Sequence, residues 1–181
     1  MPKVQRFFLE IKKNKKTNEA IFFLENKKIS FEIERDLNIN KFFYRQVGKD
    51  HFWRDRLLWS DKEWKKYINN KNLETGIMKL NGNLVGFYEQ EFHKKKNEIE
   101  LIQMGILKEY QGKKLGSYLL KYIIQKALSL DIERLWVHTC SLDHPRALAT
   151  YQKAGLQAYR HERVYIRDPR VEFPHLGGGP Q

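Results

Sequence analysis

The sequence predicts an α/β domain in which a mixed, mostly antiparallel sheet carries helices on both faces. Three observations point there. Between residues 76 and 107, three β-rich apolar runs are joined by very short connections, one of them Asn81-Gly82, the strongest short signal for a hairpin. From residue 110 onward the pattern alternates turn, helix, strand, helix and strand. Finally, the chain has 181 residues, 41% hydrophobic and 13% aromatic. That is enough to bury a core without staples and too apolar for a disordered chain.

Residues 7–11, 20–24 and 29–34 read as strands, the last with Ile29, Phe31 and Ile33 two apart. From 51 to 68 the period becomes helical, through Trp53, Leu57, Leu58, Trp64, Tyr67 and Ile68. Within it, Ser60-Asp61-Lys62-Glu63 has the form of a capping box that opens a second helix. Trp53, Trp59 and Trp64 read as core anchors of a helical layer, with the wall of a pocket as the alternative. Strands at 76–80 and 84–92 flank the hairpin turn, and the Lys94-to-Asn97 turn leads into a strand over 98–107. A helix follows with the apolar face Leu119, Leu120, Ile123, Ile124, Ala127 and Leu128. Residues 134–139 form the next strand. Pro145 suits the first position of another helix, where its missing N–H costs nothing, and Gly155 suits its C-terminal stop. A last strand covers 156–166.

Composition bounds the function. Gly 11 and Pro 5 exclude a fibrous or low-complexity protein, and the lone Cys140 excludes an internal disulfide and a Cys-rich zinc module. The N-terminus has neither a long apolar region nor a small-residue cleavage site, and no run approaches the ~20 apolar residues that span a bilayer. The expectation is a cytoplasmic protein with one domain over residues 1–167, of which residues 1–48 are the least defined, and a flexible tail over 168–181. The 34 Lys and Arg against 22 Asp and Glu leave a net charge of +12. A basic surface attracts phosphates. Here the excess is Lys scattered with Asn in turns, which reads as solvated loop tips rather than a nucleic-acid face.

A strand that ends in a Gly-containing turn opening a helix is an anion site, because the helix's first N–H groups lack partners and its dipole is positive there. Gln111-Gly112-Lys113-Lys114-Leu115-Gly116 has that form. It resembles the pyrophosphate loop of the GNAT acetyltransferase superfamily, Arg/Gln-x-x-Gly-x-Gly/Ala. Downstream, His144-Pro145-Arg146-Ala147 with Tyr151 and Gly155-Leu156 is similar to the family's second signature, Asn-x-x-Ala-x-x-x-Tyr-x-x-x-Gly-Phe. The likeness covers residues 50–166 in the right order and spacing. Three positions depart: Lys114 stands where the family has glycine, His144 replaces Asn, and Leu156 replaces Phe. A non-glycine residue at 114 is tolerated where φ stays negative and crowds the loop otherwise.

The resemblance implies a GNAT-like fold whose central sheet splays between two parallel strands, and an enzyme that moves an acetyl group from acetyl-CoA to an amine. It implies that pyrophosphate sits on Gln111, Gly112, Lys113, Lys114, Leu115 and Gly116. The pantetheine arm then pairs with backbone near Ile106 and Lys108, and His144 and Tyr151 border the cofactor. Direct attack requires a neutral amine, a donor for the oxyanion and a proton for the departing thiolate. Tyr151 is the candidate proton donor, with core packing as the alternative. The oxyanion donor is an amide near Ile106, where Gly105 permits a bulge.

Glu100 and Glu89 are the candidate bases. Glu98, Glu100, Ile102 and Met104 share one strand face, and a carboxylate beside an apolar cleft has its pKa raised; simple cross-strand pairing is the alternative. Glu89, Glu91, Glu98 and Glu100 together suggest an acidic mouth for a cationic amine. His138 and Cys140 share a face, but no third group orients them as a nucleophilic pair. No histidine spacing marks a metal site. A basic nucleic-acid-binding protein and a degenerate acyl-CoA-binding domain stand as rival functions, and a homodimer stays open.

Overall fold

The computed structural model describes residues 3–13 and 28–165; the strand expected at 20–24 and the tail lie outside them. The described chain forms β1 (Lys3–Lys12), β2 (Ile29–Glu34), β3 (Leu73–Leu80), β4 (Asn83–His93), β5 (Glu98–Ile106), β6 (Arg134–Cys140) and β7 (Gln157–Tyr165). Its helices are α1 (Leu37–Gly48), α2 (Asp61–Ile68), α3 (Leu115–Ser129) and α4 (Ala147–Lys153). These strands make one sheet in the order β2-β3-β4-β5-β6-β1-β7. All neighbours are antiparallel except β5 and β6. No helix of the described residues is long and apolar enough to cross a membrane.

One face of the sheet buries α3 through the seven residues Leu115, Leu119, Leu120, Ile123, Ile124, Ala127 and Leu128, the stripe that the helical spacing marks out. The other face packs α1, where Phe43 and Val47 meet Ile77, Phe87 and Leu107. Because β4 is covered on both sides, its residues Val85 to Gln90 are all buried.

Helix α1 has no counterpart in the sequence reading. Its buried stripe includes Asn40 beside Phe43, Tyr44 and Val47, and that polar residue breaks the apolar period. Its start is set by Asp36, whose carboxylate accepts from the Asn38 amide at 2.8 Å. The helix expected from residue 51 is instead an irregular loop up to Ser60. The Trp53 amide donates back to the Gly48 carbonyl at 3.1 Å, and its side chain lies so close that a Cβ on Gly48 would stand 2.6 Å from it. The loop thus folds its tryptophan over the end of α1. Helix α2 starts where expected: the Ser60 amide donates to Glu63 at 2.7 Å, and the Glu63 amide to Ser60 Oγ at 3.3 Å. Trp64 is core, as the simpler reading had it, whereas Trp53 is not sealed.

Strand β1 does not pair with β2. It lies between β6 and β7, with Leu9 fully buried opposite Val137 and Glu10 in an ion pair with Arg134 at 2.7 Å.

Two irregularities shape the centre. The β5–β6 pairing runs only from Glu98–Arg134 to Leu101–Val137. Just beyond, Glu89 pairs with Gln103 and Gln90 with Leu101, so Ile102 is an inserted residue, a β-bulge that bends β5 away from β6. The bulge expected at Gly105 is therefore at Ile102. Gly105 stays in register with Phe87 and is small for another reason: a Cβ there would lie 2.2 Å from Val47 of α1. The inserted residue also ends the shared face expected of Glu98, Glu100, Ile102 and Met104, since Met104 now pairs with Tyr88 on the α3 side.

Helix α4 starts at Ala147, two residues later than Pro145 suggests, because the His144 ring and carbonyl occupy the turn before it. His144 Nδ1 accepts from the Arg146 amide at 3.1 Å and its carbonyl from Ala147 at 2.8 Å. Its end is a Schellman motif: the Gly155 amide donates to Gln152 at 3.0 Å and that of Leu156 to Tyr151 at 3.1 Å, with Gly155 at φ +100°. This anchors the carbonyl of Tyr151. An L side chain in the left-handed region costs about 1–2 kcal/mol. Gly155→Ala should therefore lower Tm by about 2–8 °C, at about 2–4 °C per kcal/mol for this size. An unchanged Tm in thermal unfolding would contradict the motif's role.

Candidate active site

The wedge opened by the bulge is a cavity of about 550 Å³. Its walls are the end of α1 and the loop after it, β5 from Ile102 to Ile106, the turn into α3, His138 at the end of β6, and the stretch from Asp143 to Tyr151. Ile106, Gln111, Gly112, Lys114, Leu115, Gly116, His144 and Tyr151 all line it, although 45 positions separate the first from the last.

At the turn, the Gln111 amide is already bonded to the Lys108 carbonyl at 3.2 Å, and its side chain donates to the Ile106 carbonyl at 3.2 Å. Gln111 therefore braces the strand exit and has no amide to give an anion. The first N–H that α3 satisfies through its own cap is that of Tyr118, bonded to Lys114 at 3.1 Å. By helix geometry, the amides of Leu115, Gly116 and Ser117 have no intrahelical acceptor. All three residues line the cavity. A Cβ on Gly112 would meet nothing within 4 Å, so the approach to these amides is open. The cradle fits a phosphate group.

Lys114, the N-cap of α3, has φ +61° rather than the negative value at which a side chain is free of strain. It occupies the family's glycine position in a glycine's conformation. Lys113 and Lys108 do not line the cavity: Lys113 lies over the Tyr110 ring at 5.4 Å, and Lys108 is 4.0 Å from Asp50.

Tyr151 is half-buried against the core and reaches the cavity. Burial, and then the charge of Asp143, push its phenol above the usual tyrosine range, so it holds its proton at neutral pH. Asp143 is fixed by Thr139 Oγ1 at 2.7 Å and by the Cys140 amide at 2.8 Å.

Neither expected carboxylate base lines the cavity. Glu100 Oε2 is hydrogen-bonded to His93 Nε2 at 2.9 Å. Glu89 has no exposed surface and accepts four bonds: from Asn40 and Arg56 at 2.8 Å, and from Tyr67 and Gln103 at 2.7 Å. A carboxylate with no exposed surface, held by four donors and with an Arg56 guanidinium on it, is out of reach of a substrate proton. The four glutamates expected to form an acidic mouth do not line the cavity either, and its wall carries Arg56, Lys114 and Arg146 as well as carboxylates. Glu91 holds Asn70 and Glu98 holds Arg134 and Trp136, whereas Asp55 and Asp143 face the cavity.

His51, Asp55, Arg56, Gln103 and Asp143 are cavity walls that no sequence signal marks, Trp53 takes the pocket-wall alternative, and His138 is marked only as a weak partner for Cys140. Both His51 and His138 have pKa values below the usual imidazole range, chiefly because surrounding protein removes water from the rings. For His138, Arg6 adds to this, against Glu100, Asp143 and Glu162. Both rings are neutral at pH 7.

The same wedge and turn set this chain beside proteins already known. The acetyltransferase (GNAT) family profile matches residues 36–156, well over half of the chain. The chain belongs to the GNAT acetyltransferases, a family of acyltransferases. No curated protein sequence matches it. Among solved structures it is similar to a functionally unknown conserved protein from Staphylococcus epidermidis, with 15% identity and TM-score 0.61. That match covers 90% of this chain but only 60% of the other. An aminoglycoside acetyltransferase from an uncultured soil metagenomic sample, solved with sisomicin, gives 16% identity, TM-score 0.63, and coverage of 78% and 96%. A spermidine N-acetyltransferase mutant from Vibrio cholerae gives 18% identity, TM-score 0.55, and coverage of 72% and 80%. At these identities the likeness is one of fold.

Lys114→Gly should relieve the left-handed strain, offset by the greater unfolded-state freedom of glycine, for a net gain of about 0.5–1 kcal/mol. Tm should rise by about 1–4 °C. A lower Tm would show that the lysine is held by something other than the strained backbone.

Proposed function

We propose that the protein transfers an acetyl group from acetyl-CoA to a cationic primary amine by direct attack. The observation that carries this reading is that the open amides at the start of α3 and the phenol of Tyr151 border one cavity, which runs through the gap between β5 and β6. Acetyl-CoA is a substrate here. Its pyrophosphate meets the amides of Gly112 to Ser117 with Lys114 beside them. Beyond Leu101, the backbone groups of β5 that would have met β6 have no strand partner, and they are free to bond the pantetheine amides.

The chemistry asks three things of the chain. The amine must lose a proton, and His138, a neutral imidazole at the cavity on the β6 side, is the acceptor we assign in place of Glu89 and Glu100. Attack forms the C–N bond as the carbonyl π bond opens to an oxyanion held by a backbone N–H of β5. Collapse of the oxyanion breaks the C–S bond, and the nitrogen's first and second protons both leave through His138 to solvent. The sulfur leaves with a proton from Tyr151, whose phenol is then reprotonated from solvent. Asp55, with its side chain 75% exposed, and Asp143 are the two carboxylates on the cavity wall, alongside the cations Arg56, Lys114 and Arg146, and Asp55 is the one we assign to an arriving ammonium. Arg56 is shared between Glu89 at 2.8 Å and Asp55 at 3.7 Å, and the shorter contact is with Glu89.

Acetyl-CoA at about 100 times its Kd should stabilise the protein by about 2.7 kcal/mol, read as a Tm rise of several degrees. Thiol release with acetyl-CoA should be seen with spermidine or sisomicin and not with uncharged aniline. Binding without turnover on any amine would reduce the protein to an acyl-CoA-binding domain, and no Tm shift would remove the CoA reading.

Tyr151→Phe and His138→Asn should each lower kcat by about 10²-fold or more with the KM for acetyl-CoA unchanged. Because the Tyr151 pKa is raised above its ordinary value near 10, the rate should climb from about pH 6 to 9 with no descending limb. A fall within that range would remove Tyr151 as the acid.

A further inference from the structure

Gln103, one of the four donors to Glu89, also faces the cavity. It follows the bulge on β5 and pairs with Glu89 across β4. An ionised carboxylate only accepts hydrogen bonds, so the end of the Gln103 carboxamide that meets Glu89 Oε2 at 2.7 Å must be the NH₂. The amide cannot turn over without placing oxygen against oxygen. Glu89 is itself fixed by Asn40 of α1, Arg56 of the loop before α2 and Tyr67 of α2. The carboxamide oxygen is thereby aimed away from the hub.

We infer that Glu89 is an orientation lock which presents Gln103 Oε1 to the cavity as the hydrogen-bond acceptor for the attacking amine's N–H. This rests on the acetyl-transfer reading. Gln103 lies on β5 just past the last β5–β6 pair, and His138 lies on β6 just past it, so the two residues flank the gap from opposite strands. A neutral acceptor suits the step: it bonds the ammonium on arrival and the amine after proton loss, without holding the proton itself. Gln103 is a positioning residue that turns the nitrogen lone pair toward the acetyl carbon, and Glu89 acts through it.

Two substitutions test this, with spermidine and sisomicin as the amine probes and thiol release as the readout. Gln103→Leu removes the acceptor and should lower kcat/KM for the amine by about tenfold, the worth of one hydrogen bond. The KM for acetyl-CoA should not change. Gln103→Glu is the sharper probe. Beside Glu89, and with Arg56, Tyr67 and Asn40 already committed to Glu89 and His138 facing the same gap, the new carboxyl must carry a proton to bond the lock. Protonated, it donates to Glu89 and offers its carbonyl to the cavity as the amide does. Its activity should be near wild type at about pH 5.5–6 and fall as pH rises, while the wild-type rate climbs.

A Gln103→Leu protein within twofold of wild type, or a Gln103→Glu profile that climbs with pH like the wild type, overturns the proposal while leaving acetyl transfer intact. If Gln103→Leu does not fold, the Gln103→Glu profile decides alone. Wild-type protein inert toward both amines takes down the acetyl-transfer reading and the role of Gln103 with it.

Discussion

The cavity exists because β5 parts from β6. Four residue pairs hold the two strands together, and a single inserted residue, Ile102, bends β5 out of the pairing. Without that parting, the turn into α3 and the end of α4 would be separated by a closed ladder. With it, backbone groups of β5 are left without a strand partner on the β6 side, and residues from five regions of the chain meet at one cavity. The bulge survives because both sides of β5 are supported. Val47 presses on Gly105 from α1, and Leu115 and Leu119 of α3 pack on the opposite face.

Polar groups on the α1 side are organised just as tightly. A carboxylate with no exposed surface is costly unless its lone pairs are met. Glu89 is satisfied by donors from α1, α2, the intervening loop and β5. It ties the helical layer to the bulged strand at the point where an incoming amine would arrive. The guanidinium of Arg56 is further enclosed by the rings of Tyr67 at 4.2 Å and Trp59 at 5.2 Å. This half of the site is rigid, whereas the turn into α3 carries strain at Lys114.

The sheet from β3 to β5, helix α3 and the Gly155 stop were legible because each rests on local chemistry: alternation, a hairpin dipeptide, an apolar stripe and a left-handed cap. The cavity wall formed by the turn into α3 and the Tyr151 helix was legible for the same reason, since both are short contiguous motifs. The wall opposite was not. Asn40 hid α1, and the spacing of Trp53 and Leu57 imitated a helix where the chain is a loop. Gln103, Asp55 and His138 come together only through sheet register and the bulge, which no local period announces. Glu100 was chosen for sharing a strand face with Glu98, and both it and Glu89 as carboxylates beside an apolar cleft, but the partners of Glu89 arrive from α1, α2 and β5, and that of Glu100 from the end of β4. Likewise, the place of β1 between β6 and β7 is a long-range pairing without a local signature.

A crystal structure of the protein with CoA bound would put the whole arrangement on view at once. Diphosphate oxygens should lie within hydrogen-bond distance of amides between Gly112 and Ser117, with the pantetheine arm in the gap beyond Leu101 and the sulfur beside the Tyr151 hydroxyl. CoA bound outside the gap, or a sulfur that the Tyr151 hydroxyl cannot reach, would refute the assignment.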